Sequence, residues 1–308
     1  MPALARIAAI AETPNPSVAR ITAFMEGFSL EAARLGAADI AALQAVPSRA
    51  AVYLTCVPGR TMAGMIEPAK RLLAAGFEPV PHLAVRNVAS VAMLDDVLTR
   101  LAALGVRRAL VIGGDRERPA GPFSGAIDVI ESGLLQRHGI REIGIAGYPQ
   151  GHPRISLPVL ERALAAKAEA AVQTGLAVHI VTQLGFDAAA VLDWIVRLRD
   201  RGIEHPVRIG MAGPTDLSTL MRYAHRCGVR ASVQRLSRHA GLLKHLVGTS
   251  TPDGIIRPLA EAAAAGRLGH VVPHFHSFGG LAGTGRWAAA ARAGRIVLDR
   301  ADGFRVEP

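Results

Sequence analysis

Aromatic residues are scarce, at 4% of the 308 residues. Proteins that hold single-stranded nucleic acid stack bases on such rings along a basic groove. This chain has few rings and no run of five Lys or Arg, although its formal net charge is +10. A nucleic-acid partner is therefore not expected, and the basic balance suits a solvated surface or an anionic small molecule. Cysteine is rarer still: Cys56 and Cys227 lie far apart and form no Cys-x-x-Cys pair. That argues against a disulfide framework and fits a reducing compartment. No apolar run reaches the ~18 residues of a membrane span, so no membrane association is expected. The opening segment, residues 1–16, carries one Arg and is interrupted by Glu12, which is not a signal-peptide layout. Cytoplasmic residence is the expectation, with homo-oligomerisation left open.

What the chain does have is alternation. Short apolar runs stand at 5–11, 51–56, 78–84, 108–114, 142–148, 177–183, 207–213 and 270–276. Between them lie Ala/Leu/Arg-rich segments of helical period near 17–35, 62–75, 89–104, 123–138, 156–174, 187–201 and 215–227. Extra helices are expected at about 231–266, before the last strand, and a final helix at 280–294. Strands buried on both faces read as continuous apolar stretches, as these do. No Gly-x-Gly-x-x-Gly follows the first run, which argues against an open dinucleotide-binding sheet. Eight strand–helix units predict a (β/α)8 TIM barrel, an α/β fold, as one domain over residues 1–308.

Barrel enzymes place their chemistry at the C-terminal ends of the strands. The runs end on residues unusual for a core: Glu12, Thr55, His82, Asp115, then Tyr148 and His152, Gln183, and finally His274 and His276. Each alone has a plain reading, Glu12 as a helix cap, His82 as a satisfied core histidine, Asp115 as a turn residue. Their shared position at one end of a barrel favours a site. Gly113-Gly114 and the pair Gly147 and Gly151 let backbone approach a ligand closely. Four of the histidines (His82, His152, His274 and His276) are also zinc-ligand types at strand ends. The Tyr-Pro-x-Gly-His-Pro context around His152 favours a cofactor site instead, and no metal ligands are assigned.

IGIAGYPQGHP (143–153) is similar to the AxYPExHP signature of methylenetetrahydrofolate reductases, and IVTQLGFD (180–187) follows it as the family's ITQxFFD does. In chain order AETPNP (11–16), YLTC (53–56), PHLAVRN (81–87), IGGDR (112–116) and PHFHSFGG (273–280) resemble further family segments. The resemblance covers about residues 5–280. It implies a (β/α)8 barrel carrying FAD, with NADH or NADPH as electron donor and a folate substrate, 5,10-methylenetetrahydrofolate, reduced in a ping-pong cycle. Carried over motif by motif, Glu12 is the general acid and Asp115 sits by the flavin and the pterin. Gln183 bonds the pterin, while Thr55, His82, Gly114, Tyr148 and His152 contact FAD, and Lys167 is the candidate for its phosphates.

Four departures stand out: Gly113 replaces the family's Arg before Gly-Asp, Asn15 breaks the Pro-Pro pair, the spacing of the Lys-containing helix around Lys167 is shifted, and His276 replaces a tyrosine. The change at Gly113 motivates a rival reading, a flavin-free or oxidase-direction folate one-carbon enzyme on the same barrel.

Overall fold

The computed structural model describes residues 15–33, 35–56, 61–226, 249–299 and 303–307. Among them α1 (Pro16–Met25) leads into β1 (Ser29–Ala32), then α2 (Ala37–Ala41), β2 (Ala51–Leu54), α3 (Ile66–Ala74) and β3 (Glu78–Ala84). Next come α4 (Val91–Ala103), β4 (Arg108–Ile112), α5 (Ala126–Glu131), α6 (Leu134–Arg137), β5 (Glu142–Gly147), α7 (Leu157–Gln173), β6 (Ala177–Thr182), α8 (Ala188–Asp200) and β7 (Val207–Ala212). A two-residue ladder joins β8 (Thr215–Asp216) to β9 (Thr249–Ser250), with α9 (Leu217–Arg226) between. The chain then runs through α10 (Asp253–Ala264), β10 (Val271–His276), α11 (Leu281–Arg292) and the antiparallel pair β11 (Ile296–Leu298) and β12 (Phe304–Val306).

Eight parallel strands close into a barrel in the order β1-β10-β7-β6-β5-β4-β3-β2. The expected (β/α)8 architecture is thus present, and seven of its strands lie on the runs read from the sequence. The first does not. The ring is complete without residues 5–11, which lie outside the described residues, as does Glu12. Its first strand is β1, inside the segment 17–35 expected as one helix. Asn15 accepts from Ser17 N at 3.0 Å and Pro16 starts the helix, but the helix stops at Met25 and Gly27 turns the chain at φ +72°. The four residues SLEA that follow are too short to show a period against a helical background.

The other outer helices follow sequence rules closely. In α4 the Ser90 cap accepts from Met93 N at 3.2 Å, and Leu94, Val97, Leu98 and Leu101 form the buried stripe. In α8 the Asp187 cap accepts from Ala190 N at 3.1 Å, and Val191, Trp194, Ile195 and Leu198 are buried. The segment 123–138 divides into α5 and α6 where Gly133 adopts φ +73°. Of the extra helices expected at 231–266, α10 is described, and residues 227–248 lie outside the described residues. The pair β11–β12 has no counterpart among the expected elements; it brings Phe304 onto Trp287, with ring centroids 5.7 Å apart.

Two cores separate along the strands, because successive side chains point to opposite faces. Leu30, Val52, Leu83, Val111, Ile143, Ile180, Ile209 and Phe275 join the large cluster under the helices. Ala51, Tyr53, Val80, Leu110 and Val181 form a separate small cluster, the apolar part of the lumen. The lumen also carries buried polar side chains, Ser29, His82, His179 and His274 among them.

Candidate functional site in the barrel lumen

Three strand positions put one carboxylate among imidazoles. Parallel register sets Ser29 of β1 beside His274 of β10, and Glu31 beside His276. Glu31 Oε1 accepts from Thr55 Oγ1 at 3.0 Å and lies 3.2 Å from His276 Nδ1. Oε2 lies 3.2 Å from His274 Nε2 and 3.6 Å from His82 Nε2. His274 Nδ1 contacts Ser29 Oγ at 2.8 Å. His274 and Ser29 are fully buried, and His82 is 4% exposed. Burial pushes the Glu31 carboxyl up, but the charges of His276 and His82 and hydrogen bonds from His274 and His276 hold it well below the ordinary carboxylate range. Burial lowers His274 to about 4 against the opposing pull of Glu31, and it lowers His82 in the same sense.

A second polar layer lies deeper, toward the N-terminal ends of the strands. Tyr53 Oη is 2.7 Å from His179 Nε2, and His179 Nδ1 is 2.8 Å from Glu142 Oε1. Arg108 bridges Glu142 at 2.6 Å and Glu78 at 2.7 Å. The Tyr53 ring meets His274 edge-on at 4.6 Å, so the layers touch. A Cβ on Gly144 would stand 2.8 Å from both His179 Nε2 and Leu110 Cδ1, which is why β5 has glycine there. Gly210 of β7 makes the same allowance above, where a Cβ would meet Thr182 O at 2.4 Å and His276 Nε2 at 3.0 Å.

At the mouth, after the C-terminal ends of β4 and β5, stand Asp115, Tyr148 and His152. Tyr148 and His152 pack edge to face at 5.4 Å. Burial raises the Tyr148 phenol and the Cys56 thiol, and the Asp115 carboxylate raises both further. Burial and Arg154 lower the His152 imidazole, with Asp115 opposing them. Asp115 therefore shares an electrostatic neighbourhood with Cys56, Tyr148 and His152. Gly114 turns the chain there at φ +85°, and Ala84 Cβ would be only 3.1 Å from a Cβ at that point. Gly113 faces a guanidinium from the turn after β3: a Cβ on it would lie 3.9 Å from Arg86 Nε. Arg86 is held by Ser124 O at 2.7 Å and Arg116 O at 3.3 Å.

Other rings continue the lumen outward. His276 stacks on Phe278 at 5.5 Å and Phe278 on Tyr223 at 3.9 Å, both at 9°. Thr215 Oγ1 and Ser277 Oγ are buried nearby in sequence without hydrogen-bond partners. Gln183, at the end of β6, folds its amide oxygen back onto Leu184 N at 2.9 Å. Lys167 stands ten residues into α7, about 15 Å along the helix axis from its start. Burial lowers its ammonium to about 8.

Thus Thr55 and His82 are brought together around Glu31, and Asp115, Gly114, Tyr148 and His152 around the β4 and β5 ends. Glu31 itself was missed because its strand was read as helix. Tyr53, Arg108, Glu142 and His179 were missed because they lie at the starts or in the interiors of strands rather than at their C-terminal ends. The signal was a polar residue at alternate positions of apolar runs, as in AVYL and AVHIVT.

A model of the methylenetetrahydrofolate reductase family matches residues 49–243. A curated relative, methylenetetrahydrofolate reductase 2 of Saccharomyces cerevisiae (strain ATCC 204508 / S288c), is 27% identical over 164 residues, covering 48% of this chain. The chain spans about a quarter (26%) of that relative's length. Among solved structures, a point mutant of a GH128 (subgroup I) endo-beta-1,3-glucanase from Amycolatopsis mediterranei, in complex with laminaripentaose, superposes with TM-score 0.46 at 17% identity. That superposition covers 87% of this chain and 98% of the glucanase.

Proposed function

This chain belongs to the methylenetetrahydrofolate reductase family, and on that premise we propose that it reduces 5,10-methylenetetrahydrofolate to 5-methyltetrahydrofolate. In this reading FAD would be held at the C-terminal mouth of the barrel and would carry hydride from NADH or NADPH to the folate in a ping-pong cycle. Residues 1–308 form one domain in this reading. The observation that supports it most is the position of Glu31, a partly buried carboxylate near the C-terminal end of β1 within reach of Thr55, His82, His274 and His276.

The mouth fits a large polar cofactor. It has a turn at Gly113-Gly114 that a Cβ would crowd, a guanidinium at Arg86, and a facing pair of Tyr148 and His152. Thr55, His82, Gly114, Asp115, Tyr148 and His152 would hold FAD, with Arg86 supplying the positive charge that Gly113 cannot. Bound there, the flavin supplies the hydride.

The residues of the chain then have two tasks. Opening the five-membered ring of the folate needs a proton on the leaving nitrogen, and it creates an iminium cation. Glu31 takes the acid role expected of Glu12. Because its resting form is the carboxylate, Glu31 must first take up a proton from solvent, as folate binding removes water from the cluster and raises the carboxyl. The same carboxylate and Asp115 then face the developing positive charge. Gln183 bonds the pterin edge through the amide nitrogen, its oxygen being held by Leu184 N. The stacked rings of His276, Phe278 and Tyr223 offer the pterin a flat neighbour.

The test is an absorbance spectrum of the purified protein, anaerobic reduction by NADH or NADPH, and re-oxidation by methylenetetrahydrofolate. A colourless protein that gains no flavin on incubation overturns the cofactor assignment. A reduced flavin that methylenetetrahydrofolate leaves reduced overturns the substrate.

A further inference from the structure

Three imidazoles converge on Glu31, more than one proton donor requires. Among the described residues, Glu31, His274 and His276 form a group whose ligand-type atoms all lie within 4.8 Å of one another. His82 approaches from β3, with Nε2 3.6 Å from Glu31 Oε2. That Nε2 is buried and makes no hydrogen bond, although the residue is only 4% exposed. A buried imidazole nitrogen without a partner is costly, and this one points at the carboxylate its neighbours share.

We propose that Glu31, His274 and His276 form a binding site for one divalent transition-metal ion, with His82 at its edge. The donor spacing permits it. Ligands about 2.0–2.2 Å from an ion stand roughly 3.3–3.6 Å from each other. His274 Nε2 lies 3.2 Å from Glu31 Oε2, and His276 Nδ1 lies 3.2 Å from Oε1. One ligand atom of each of the three residues lies within 4.8 Å of the others. Two imidazole nitrogens and one carboxylate select ions of the zinc and cobalt type over magnesium or calcium, which prefer oxygen. A supporting shell exists too: Ser29 Oγ orients His274 through Nδ1 at 2.8 Å, leaving Nε2 toward the ion, and Thr55 Oγ1 donates to Glu31 at 3.0 Å. Parallel register holds Glu31 and the two β10 histidines at adjacent barrel positions, so the site is built into the fold rather than into a loop.

The metal proposal rests on the geometry of the cluster used in the functional reading, not on the reaction. It deepens that reading in one respect. An ion bound there occupies the lone pairs that the acid role assigns to a proton. The loaded enzyme therefore keeps flavin reduction and loses re-oxidation by folate.

The experiment uses the full chain with its flavin, treated with chelator and dialysed against Zn2+ or Co2+. Uptake of one equivalent is expected, with Co2+ giving visible ligand-field bands in the metal-minus-metal-free difference spectrum. Glu31→Gln and His276→Ala should abolish uptake, and Ser29→Ala should weaken it about 10–100-fold. His205→Ala, which removes a histidine at the opposite end of β7, should leave it unchanged. Zn2+ should also raise the melting temperature of the native protein, since it binds only the folded site. Absence of stoichiometric uptake by the unmodified protein overturns the proposal whether or not any variant folds. Uptake that survives both cluster substitutions places the ion elsewhere and overturns it equally. The functional reading fails separately: metal-free enzyme whose reduced flavin is not re-oxidised by methylenetetrahydrofolate sinks that reading while leaving metal uptake to be judged by itself.

Discussion

The hydroxyl of Tyr53 lies 2.7 Å from Nε2 of His179, inside a barrel whose lumen also holds charged and imidazole groups. Both residues are buried, Tyr53 fully. Glu142 is ionised and cannot donate, so the proton of His179 sits on Nδ1 toward it, and Nε2 accepts from tyrosine. Burial pushes the Tyr53 phenol well up, which keeps it a donor.

Tyr53→Phe should therefore destabilise the protein without touching the mouth. The ring stays, but His179 Nε2 loses its donor inside the lumen. A cost of about 1–3 kcal/mol is expected in denaturant unfolding. A midpoint unchanged from the native protein would mean that water replaces the hydroxyl.

Acid should unfold the protein partly through Glu142. Burial pushes its carboxyl up, but the hydrogen bond and charge of His179 and the charge of Arg108 outweigh that and hold it at about 2, against an ordinary 4.5. A depressed folded pKa contributes stability that is fully present above the ordinary value and is lost as pH falls through that window toward about 2. Glu142→Gln should be less stable near neutrality and show a flatter acid limb over that range. Denaturant midpoints measured across the pH series decide; parallel limbs in the two proteins would remove Glu142 from the account.

Glu31→Gln should separate the half-reactions. Flavin reduction by NADH or NADPH is a hydride transfer that needs no acid on the folate, so it should stay within a few-fold. The folate half-reaction should fall by about 10²–10⁴-fold, the usual worth of general acid catalysis. Stopped-flow absorbance at the flavin band, run separately with each substrate, reads both. Equal losses would assign Glu31 a structural role through Thr55 and the histidines.

Arg86→Ala should weaken flavin retention more than it weakens the fold. The guanidinium stands beside Gly113 at the mouth and is held by two carbonyls. Flavin released on gel filtration, compared with the thermal melt of the same sample, makes the distinction. Full flavin retention would show that Arg86 only ties its own loop.

Gly144→Ala tests the lumen packing. Its Cβ would stand 2.8 Å from His179 Nε2 and from Leu110 Cδ1. The His179–Tyr53 pair must shift, and overpacking of this kind typically costs about 1–3 kcal/mol. An unchanged unfolding midpoint would show that the lumen yields more easily than its crowded contacts suggest.

Seven barrel strands, the helices between them and the clustering of Thr55, His82, Asp115, Tyr148 and His152 near the strand ends were legible in the sequence. Apolar runs and helical periods are local properties, and the (β/α)8 pattern repeats them often enough to be read. Caps such as Ser90 and Asp187 are local too, since the side chain bonds a backbone N–H three residues on. The first strand was not legible, because SLEA carries no period that distinguishes it from the helix before it. It is a strand because β2 and β10 present two unpaired edges that only a further strand can satisfy.

What only the tertiary structure decided is the chemistry of the lumen. The sequence places Glu31, Tyr53, Glu142, His179 and His274 up to 243 residues apart (Glu31 to His274), and each alone reads as a polar intrusion in an apolar run. Barrel closure turns alternate residues of eight strands toward one axis, and parallel register sets which of them share a level. Burial then makes their pairing obligatory, since a lumen without bulk water leaves each polar group only its neighbours as partners. The sequence determined that a barrel would form. The register of its closed sheet decided that one carboxylate would stand among three imidazoles at its mouth.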